Sequence, residues 1–301
     1  MSSNREWAEQ TSPSSDEGTK ASSMPTITTK KILSLALPSL GALIAEPLFT
    51  VIDSTMVGHL GTPQLAGLGI AATVLNTAVG LFIFLAYSTT SLAGRHLGAG
   101  RRDLALRSGV EAMWLAGGFG VVAAVLLALF ASPLLSWLGA DATTLPHALA
   151  YLRASAPGLV GMFVVLAATG TLRGLQDTRT PLVAASAGAA FNAVANWTLM
   201  YPLGLGVAGS GLGTAITQTL MAVFLAWIIV RAARRQGVSL RPSTSGLVGA
   251  AVEGTPLLVR TLALRVALLA TLSAVTAIST QALAAHQIVW TLWSFAAYVL
   301  D

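Results

Sequence analysis

Seven runs of apolar residues, each longer than the roughly 20 needed to cross a bilayer as a helix, dominate this 301-residue chain. They fall at about 32–57, 66–92, 109–132, 147–171, 180–201, 210–233 and 247–277, and an eighth begins near Leu283 and is still apolar at Asp301. Hydrocarbon offers the backbone no hydrogen-bond partner, so such a run must satisfy its own N–H and C=O groups and folds as a helix. The expected fold class is therefore an all-α polytopic membrane protein. Charged residues are 10% of the sequence, well under the roughly 25% of a soluble domain. A net charge of +5 raises the question of nucleic acid, but the basic residues lie in short loops and form no compact footprint. No nucleic-acid partner is expected. The absence of cysteine excludes disulfides and thiolate metal sites.

Loop charges orient the spans. Residues 1–30 are rich in Ser, Thr and charge and read as a disordered tail carrying Lys20 and Lys30, with Lys31 just before the first span. The first, third, fifth and seventh connections, around His59, Ser136, Leu203 and Thr280, contain no Lys or Arg. The second carries Arg95, Arg101, Arg102 and Arg107, the fourth Arg173 and Arg179, and the sixth Arg231, Arg234, Arg235 and Arg241. By the positive-inside rule this alternation predicts a multi-pass protein of the cell membrane with a cytoplasmic amino terminus.

Within the spans a few polar residues stand out, because an ionisable group in hydrocarbon costs several kcal/mol unless it faces protein or a water-filled cavity. Glu46, Thr50 and Asp53 are spaced i, i+4, i+7 on the first span, so they share a face expected to look into a bundle. Asn192 and Asn196 form an i, i+4 polar stripe on the fifth span, and Asn76, Gln218, Arg260 and Arg265 are further intramembrane polar groups. Arg265, deeper than Arg260, is expected to seek an acid such as Glu46 or Asp53. Arg173, Asp177 and Arg179 fall in one hairpin, where a loop ion pair is expected. The Gly-rich run 204–213 has no accompanying strand or Lys, so it reads as helix packing and a hinge. His59, His96, His147 and His286 lack metal-ligand spacing.

The chain also repeats itself. Pro38 precedes Leu65-Ala66-Gly67 by 27 residues and Pro256 precedes Leu283-Ala284-Ala285 by the same 27, an offset of 256 − 38 = 218. Both copies begin after an even number of spans, so they are parallel repeats of six helices. The expected organisation is a tail (1–30), a complete six-helix bundle (31–235), a cytoplasmic linker (236–246) and the first two helices of a second bundle (247–301). On that reading the chain is a fragment that lacks the rest of the second copy.

Three stretches carry a family resemblance: Asp53-Ser-Thr-Met-Val-Gly-His-Leu-Gly61, Arg173-Gly-Leu-Gln-Asp-Thr-Arg-Thr-Pro181 and Leu283-Ala-Ala-His-Gln-Ile288. From Lys31 to Asp301 the sequence resembles the multidrug and toxic compound extrusion (MATE) family, most of all its DNA-damage-inducible F branch. The resemblance implies two six-helix bundles around a cleft. It also implies an antiporter that exports organic, often cationic, drugs or metabolites in exchange for H+ or Na+. Asp53 matches the family's ion-binding aspartate, and Asn192 and Thr214 match polar partners of it. Asn196 stands where a second aspartate is common, and Phe49 where some members have tyrosine. The expected ion-coupling residues are thus Asp53, Glu46, Asn192, Asn196 and Thr214, with Asn76, Gln218 and Arg265 in the substrate cleft. No catalytic residue, no cofactor and no metal beyond Na+ at Asp53 is implied, and a monomer is expected. The alternative within transport is a lipid-linked precursor flippase of the wider superfamily. An intramembrane enzyme would need a motif such as HExxH or GxSxG, and the sequence has neither.

Overall fold

The computed structural model describes residues 51–278, with Val289 and Trp293 beyond them. Pro38, Glu46, Phe49 and the Leu283–Ile288 stretch lie outside the described residues. The chain divides into a unit of residues 1–34, also outside them, and a unit of residues 35–301 to which everything below belongs.

The regular elements of the described residues are all helices, with no strand. Helix α1 is described over residues 51–58. It is followed by α2 (Thr62–Leu81), α3 (Phe84–Gly98), α4 (Arg102–Trp137), α5 (Leu145–Ser155), α6 (Gly158–Gly174), α7 (Arg179–Met200), α8 (Val207–Arg235) and α9 (Thr244–Ile278). Among the described residues five helical segments are long and apolar enough to cross a membrane, with α2 and α3 together (Thr62–Gly98) making one of them, or six when α5 and α6 count as one bent span.

Two of the expected spans are broken helices. The run at 147–171 becomes α5 and α6, which meet at a 53° bend. Pro157 sits at the join, where it cannot donate to the preceding turn and its ring crowds a carbonyl four residues back. The run at 66–92 becomes α2 and α3, interrupted at residues 82–83 without any proline. The interruption seats Phe82 among Phe84, Phe119 and Phe163, with ring centroids 6.0, 5.3 and 4.5 Å away. The backbone stays bonded through the interruption by tighter turns, from Phe82 N to Val79 O, Leu85 N to Phe82 O and Ala86 N to Ile83 O, and the aromatic packing adds to them.

Helix α6 is central and packs on α3, α4 and α8, with Leu159, Phe163, Ala167 and Ala168 wholly buried. Small residues permit the close crossings: a methyl placed on Gly120 would lie 2.6 Å from Val160 Cα, and one on Gly161 would lie 2.7 Å from the Gln218 carbonyl carbon. This is the packing expected where lipid supplies no hydrophobic drive between helices. The outward face of α4, by contrast, exposes Val121, Val122, Val125, Leu129 and Phe130. Such a continuous apolar face would aggregate in water, whereas lipid tails cover it at no cost. The chain is a multi-pass membrane protein.

Two local details correct the sequence reading. Asp177 forms no ion pair with Arg173 or Arg179 among the described residues. Its carboxylate accepts from Thr180 N (3.0 Å) and Thr180 Oγ1 (2.6 Å), which caps the start of α7. The turn before it closes α6 by bonds from Gln176 N to Arg173 O and from Asp177 N to Leu172 O, with Gln176 at φ 64°. This arrangement usually places glycine at the left-handed position. The second detail is Glu111 on α4, a buried acid that the sequence reading did not single out. Glu111 Oε1 accepts from Ser243 Oγ at 2.6 Å and from Arg107 Nε at 3.4 Å, while Trp114 Nε1 donates to Leu240 O at 3.1 Å. The segment joining α8 to α9 is thereby fastened to α4.

Candidate functional site

Three helices bring their polar residues to one point. Helix α1 presents Asp53, 5% exposed; α7 presents Asn192 and Asn196, 1% and 0% exposed; α8 presents Ser210 and Thr214, both buried. The i, i+4 spacing on α7 puts the two amides one turn apart, and they bond each other. Asn196 Nδ2 donates to Asn192 Oδ1 at 2.9 Å, and Asn192 Nδ2 donates to Asn196 Oδ1 at 3.3 Å. The second proton of Asn196 Nδ2 goes to Asp53 Oδ1 at 3.0 Å. Ser210 Oγ donates to the same oxygen in a short hydrogen bond. Asp53 Oδ1 thus receives two donors from two helices, and among the described residues no donor reaches Oδ2.

The backbone makes room for this cluster. Gly213 on α8 faces Asn196 so closely that a Cβ there would overlap Asn196 Oδ1 and lie 3.2 Å from Asn196 N. Gly209, on the same face, passes the α7 backbone with a built Cβ 2.7 Å from the Leu199 carbonyl carbon. The Gly-rich run is therefore close packing, as its sequence suggests, with Gly204 and Gly206 at positive φ in the turn before α8. The end of α1 is tied down by Tyr201 Oη, which donates to Met56 O at 2.7 Å.

Of the residues the sequence singled out, Asp53, Asn192 and Asn196 join one hydrogen-bonded network. Thr214 lies beside it, one turn beyond Ser210, but its Oγ1 makes no hydrogen bond among the described residues. Ser210 takes the place expected of Thr214. Two further groups were missed: Ser210, and Tyr151 on α5, a buried phenol close enough to Asp53 and Thr214 to interact with both. A signal existed for each. Ser210 and Thr214 are i, i+4 on an apolar helix, and a tyrosine inside an apolar span needs a partner for its hydroxyl.

The structure does not bring the others in. Asn76 is exposed on α2, Gln218 is half-buried on α8, and neither bonds to the cluster among the described residues. Arg265 does not reach Asp53. Its guanidinium lies against Gly80 on α2. Glu46 lies outside the described residues. Among the described residues no three His, Cys, Asp or Glu side chains gather as a metal site. What the cluster can do chemically follows from its charge. One carboxylate, walled by apolar helices and held on a single oxygen by neutral donors, can gain and lose a proton or a small cation at its other oxygen.

The comparisons with known proteins agree with this architecture. The family model described as MatE matches residues 38–198. The protein DETOXIFICATION 44, chloroplastic, of Arabidopsis thaliana is 32% identical over 90% of this chain and 54% of its own length. The DNA damage-inducible protein F of Escherichia coli is 27% identical over 90% of this chain and 60% of its own length. Among solved structures, one described as the crystal structure of MATE in the bent conformation superposes with a TM-score of 0.80, at 24% identity, over 90% of this chain and 62% of that one. The chain thus spans little more than half the length of these curated relatives. With a family model matched over more than half of its residues, the chain belongs to the MatE family.

Proposed function

We propose that this protein acts in secondary active antiport, exporting organic, often cationic, drugs or metabolites in exchange for H+ or Na+. The observation that carries the reading is the Asp53 carboxylate, buried where α1, α7 and α8 meet, bonded through Oδ1 to Asn196 and Ser210. Oδ2 is the oxygen that takes the ion. Protonation there removes the only negative charge of the described cluster, and a charge that exists in one state and not the other is a means of biasing two bundle arrangements. Substrate leaves on one side as the ion enters from it, by rocking of two helical bundles about a central cleft. The protein belongs in the cell membrane, with its amino terminus in the cytoplasm, as a monomer.

H+ is favoured over Na+. A sodium ion needs several oxygens directed at it, and Asn196, at the position where a second carboxylate is common, turns its Nδ2 protons to Asp53 and Asn192. The family and the name of the Arabidopsis detoxification protein support export as the direction.

The test is to reconstitute the chain in liposomes loaded with a fluorescent organic cation and to impose an inward H+ or Na+ gradient. The expected result is cation efflux driven by the H+ gradient. Efflux indifferent to both gradients overturns the antiport reading. Movement of a lipid-linked precursor without cation efflux would favour the flippase instead.

A further inference from the structure

The outer face of α8 changes character along its length. Leu220, Val223, Phe224 and Trp227 are exposed on one side of the helix, and Ala222, Leu225, Ile229 and Ala233 are buried on the other. Continuing the exposed stripe at the same helical spacing, Arg231, Arg234 and Arg235 follow, all exposed. The helix has 29 residues, and at about 1.5 Å per residue it outruns a hydrocarbon core of about 30 Å. The stripe is apolar where acyl chains run and basic where the helix emerges. Tryptophan at that boundary is the usual interfacial residue.

The basic end is more than a solvated helix terminus. Arg231 lies over the Trp227 ring, 5.4 Å from its centroid, a cation–π contact that holds the guanidinium in place. Trp227, Val230, Arg231, Arg234 and Arg235, all on α8, border a shallow groove of about 470 Å³ along that one helix, open to its surroundings. None of the three arginines is paired with a carboxylate among the described residues, where the ion pair is Arg107 with Glu111. Among the described residues the groove therefore holds three positive charges with no acid beside them, one of them fixed, opening on the face that continues into the lipid-covered stripe.

We propose that this groove binds the phosphate of an anionic phospholipid, with the acyl chains lying along Phe224, Val223 and Leu220. Guanidinium groups suit phosphate because their donors form a planar fork that bonds two oxygens at once. A soluble phosphate would use the arginines alone, whereas a lipid uses the arginines and the apolar stripe below them together. The site is separate from Asp53 and does not depend on what the protein exports.

The test is delipidated chain titrated with phosphatidylglycerol or phosphatidylcholine and read by native mass spectrometry. The wild-type chain is expected to retain phosphatidylglycerol at least tenfold more strongly. The double variant Arg231→Gln/Arg234→Gln is expected to lose about fivefold for each arginine, while the charge-matched Arg101→Gln/Arg102→Gln is expected to bind as wild type. Trp227→Leu, which keeps the charge and frees Arg231, is expected to weaken retention as well, so the groove stays testable should the double variant fold poorly. Equal losses from both double variants would mean diffuse surface charge and overturn the site. Equal retention of the two lipids, or displacement by glycerol 1-phosphate at the same concentration as by lipid, overturns the lipid assignment.

Discussion

Asp53 Oδ1 is held by an amide from α7 and a hydroxyl from α8, so the position of one oxygen depends on how closely those helices approach. Gly213 sets that approach. Gly213→Ala drives a methyl into Asn196 Oδ1, and overpacking of this kind costs about 1–3 kcal/mol. Thermal unfolding in detergent should show that loss, together with loss of ion-driven export; an unchanged melting temperature would mean that the two helices part without cost. A second residue-scale prediction concerns Asp141, in the loop before α5. Its Oδ1 accepts from Thr143 N (3.0 Å), Thr143 Oγ1 (2.8 Å), Thr144 N (2.9 Å) and Thr144 Oγ1 (2.9 Å). These donors favour the charged form and bring the carboxyl down to about 2. The folded value lies below the ordinary value of about 3.9, so these loop bonds stabilise above that pH and are lost as pH falls through about 2. The melting difference between wild type and Asp141→Asn should accordingly be steady at neutral pH and close in acid. A difference that grows in acid would contradict the sign.

At the scale of elements, the joint between α8 and α9 is where a local contact has the widest consequence. Glu111 and Trp114 on α4 hold Ser243 and Leu240, so the first part of the joint moves with α4 and any hinge lies beyond Ser243. Removing both donors, by Ser243→Ala with Trp114→Phe, should speed amide exchange across residues 238–243. About fivefold is expected for each hydrogen bond at roughly 1 kcal/mol, with α4 itself unchanged; exchange that stays at the wild-type rate would detach the joint from these contacts. Nothing in the sequence marked this fastening, because its partners are 126 and 132 residues apart. What the sequence did mark was periodicity and cost. The positions of the described apolar runs, the polar stripe of Asn192 and Asn196 and the buried acid at Asp53 were legible because each follows from local spacing or from the penalty of charge in hydrocarbon. Pro157 made one helix break readable in retrospect. The break at residues 82–83 was not, since it depends on Phe82 meeting Phe119 and Phe163 from distant helices. Ser210 was overlooked in favour of Thr214 for a similar reason. Both lie on one face of α8, and only the depth of α1 against it decides which hydroxyl reaches Asp53.

For the molecule as a whole, the apolar outer faces of α4 and α8 require lipid, and the polar cluster sits inside the helices they belong to. That inversion of a soluble protein is what makes the Asp53 carboxylate consequential, because it is the one acid of the described cluster. The measurement that bears most directly on it is H+-driven efflux from liposomes carrying Asp53→Asn at matched insertion. The substitution keeps an oxygen for Asn196 and Ser210 and removes only the charge. Efflux should fall to the level of empty liposomes while the melting temperature stays near wild type. Efflux at the wild-type rate would show that the ion passes elsewhere.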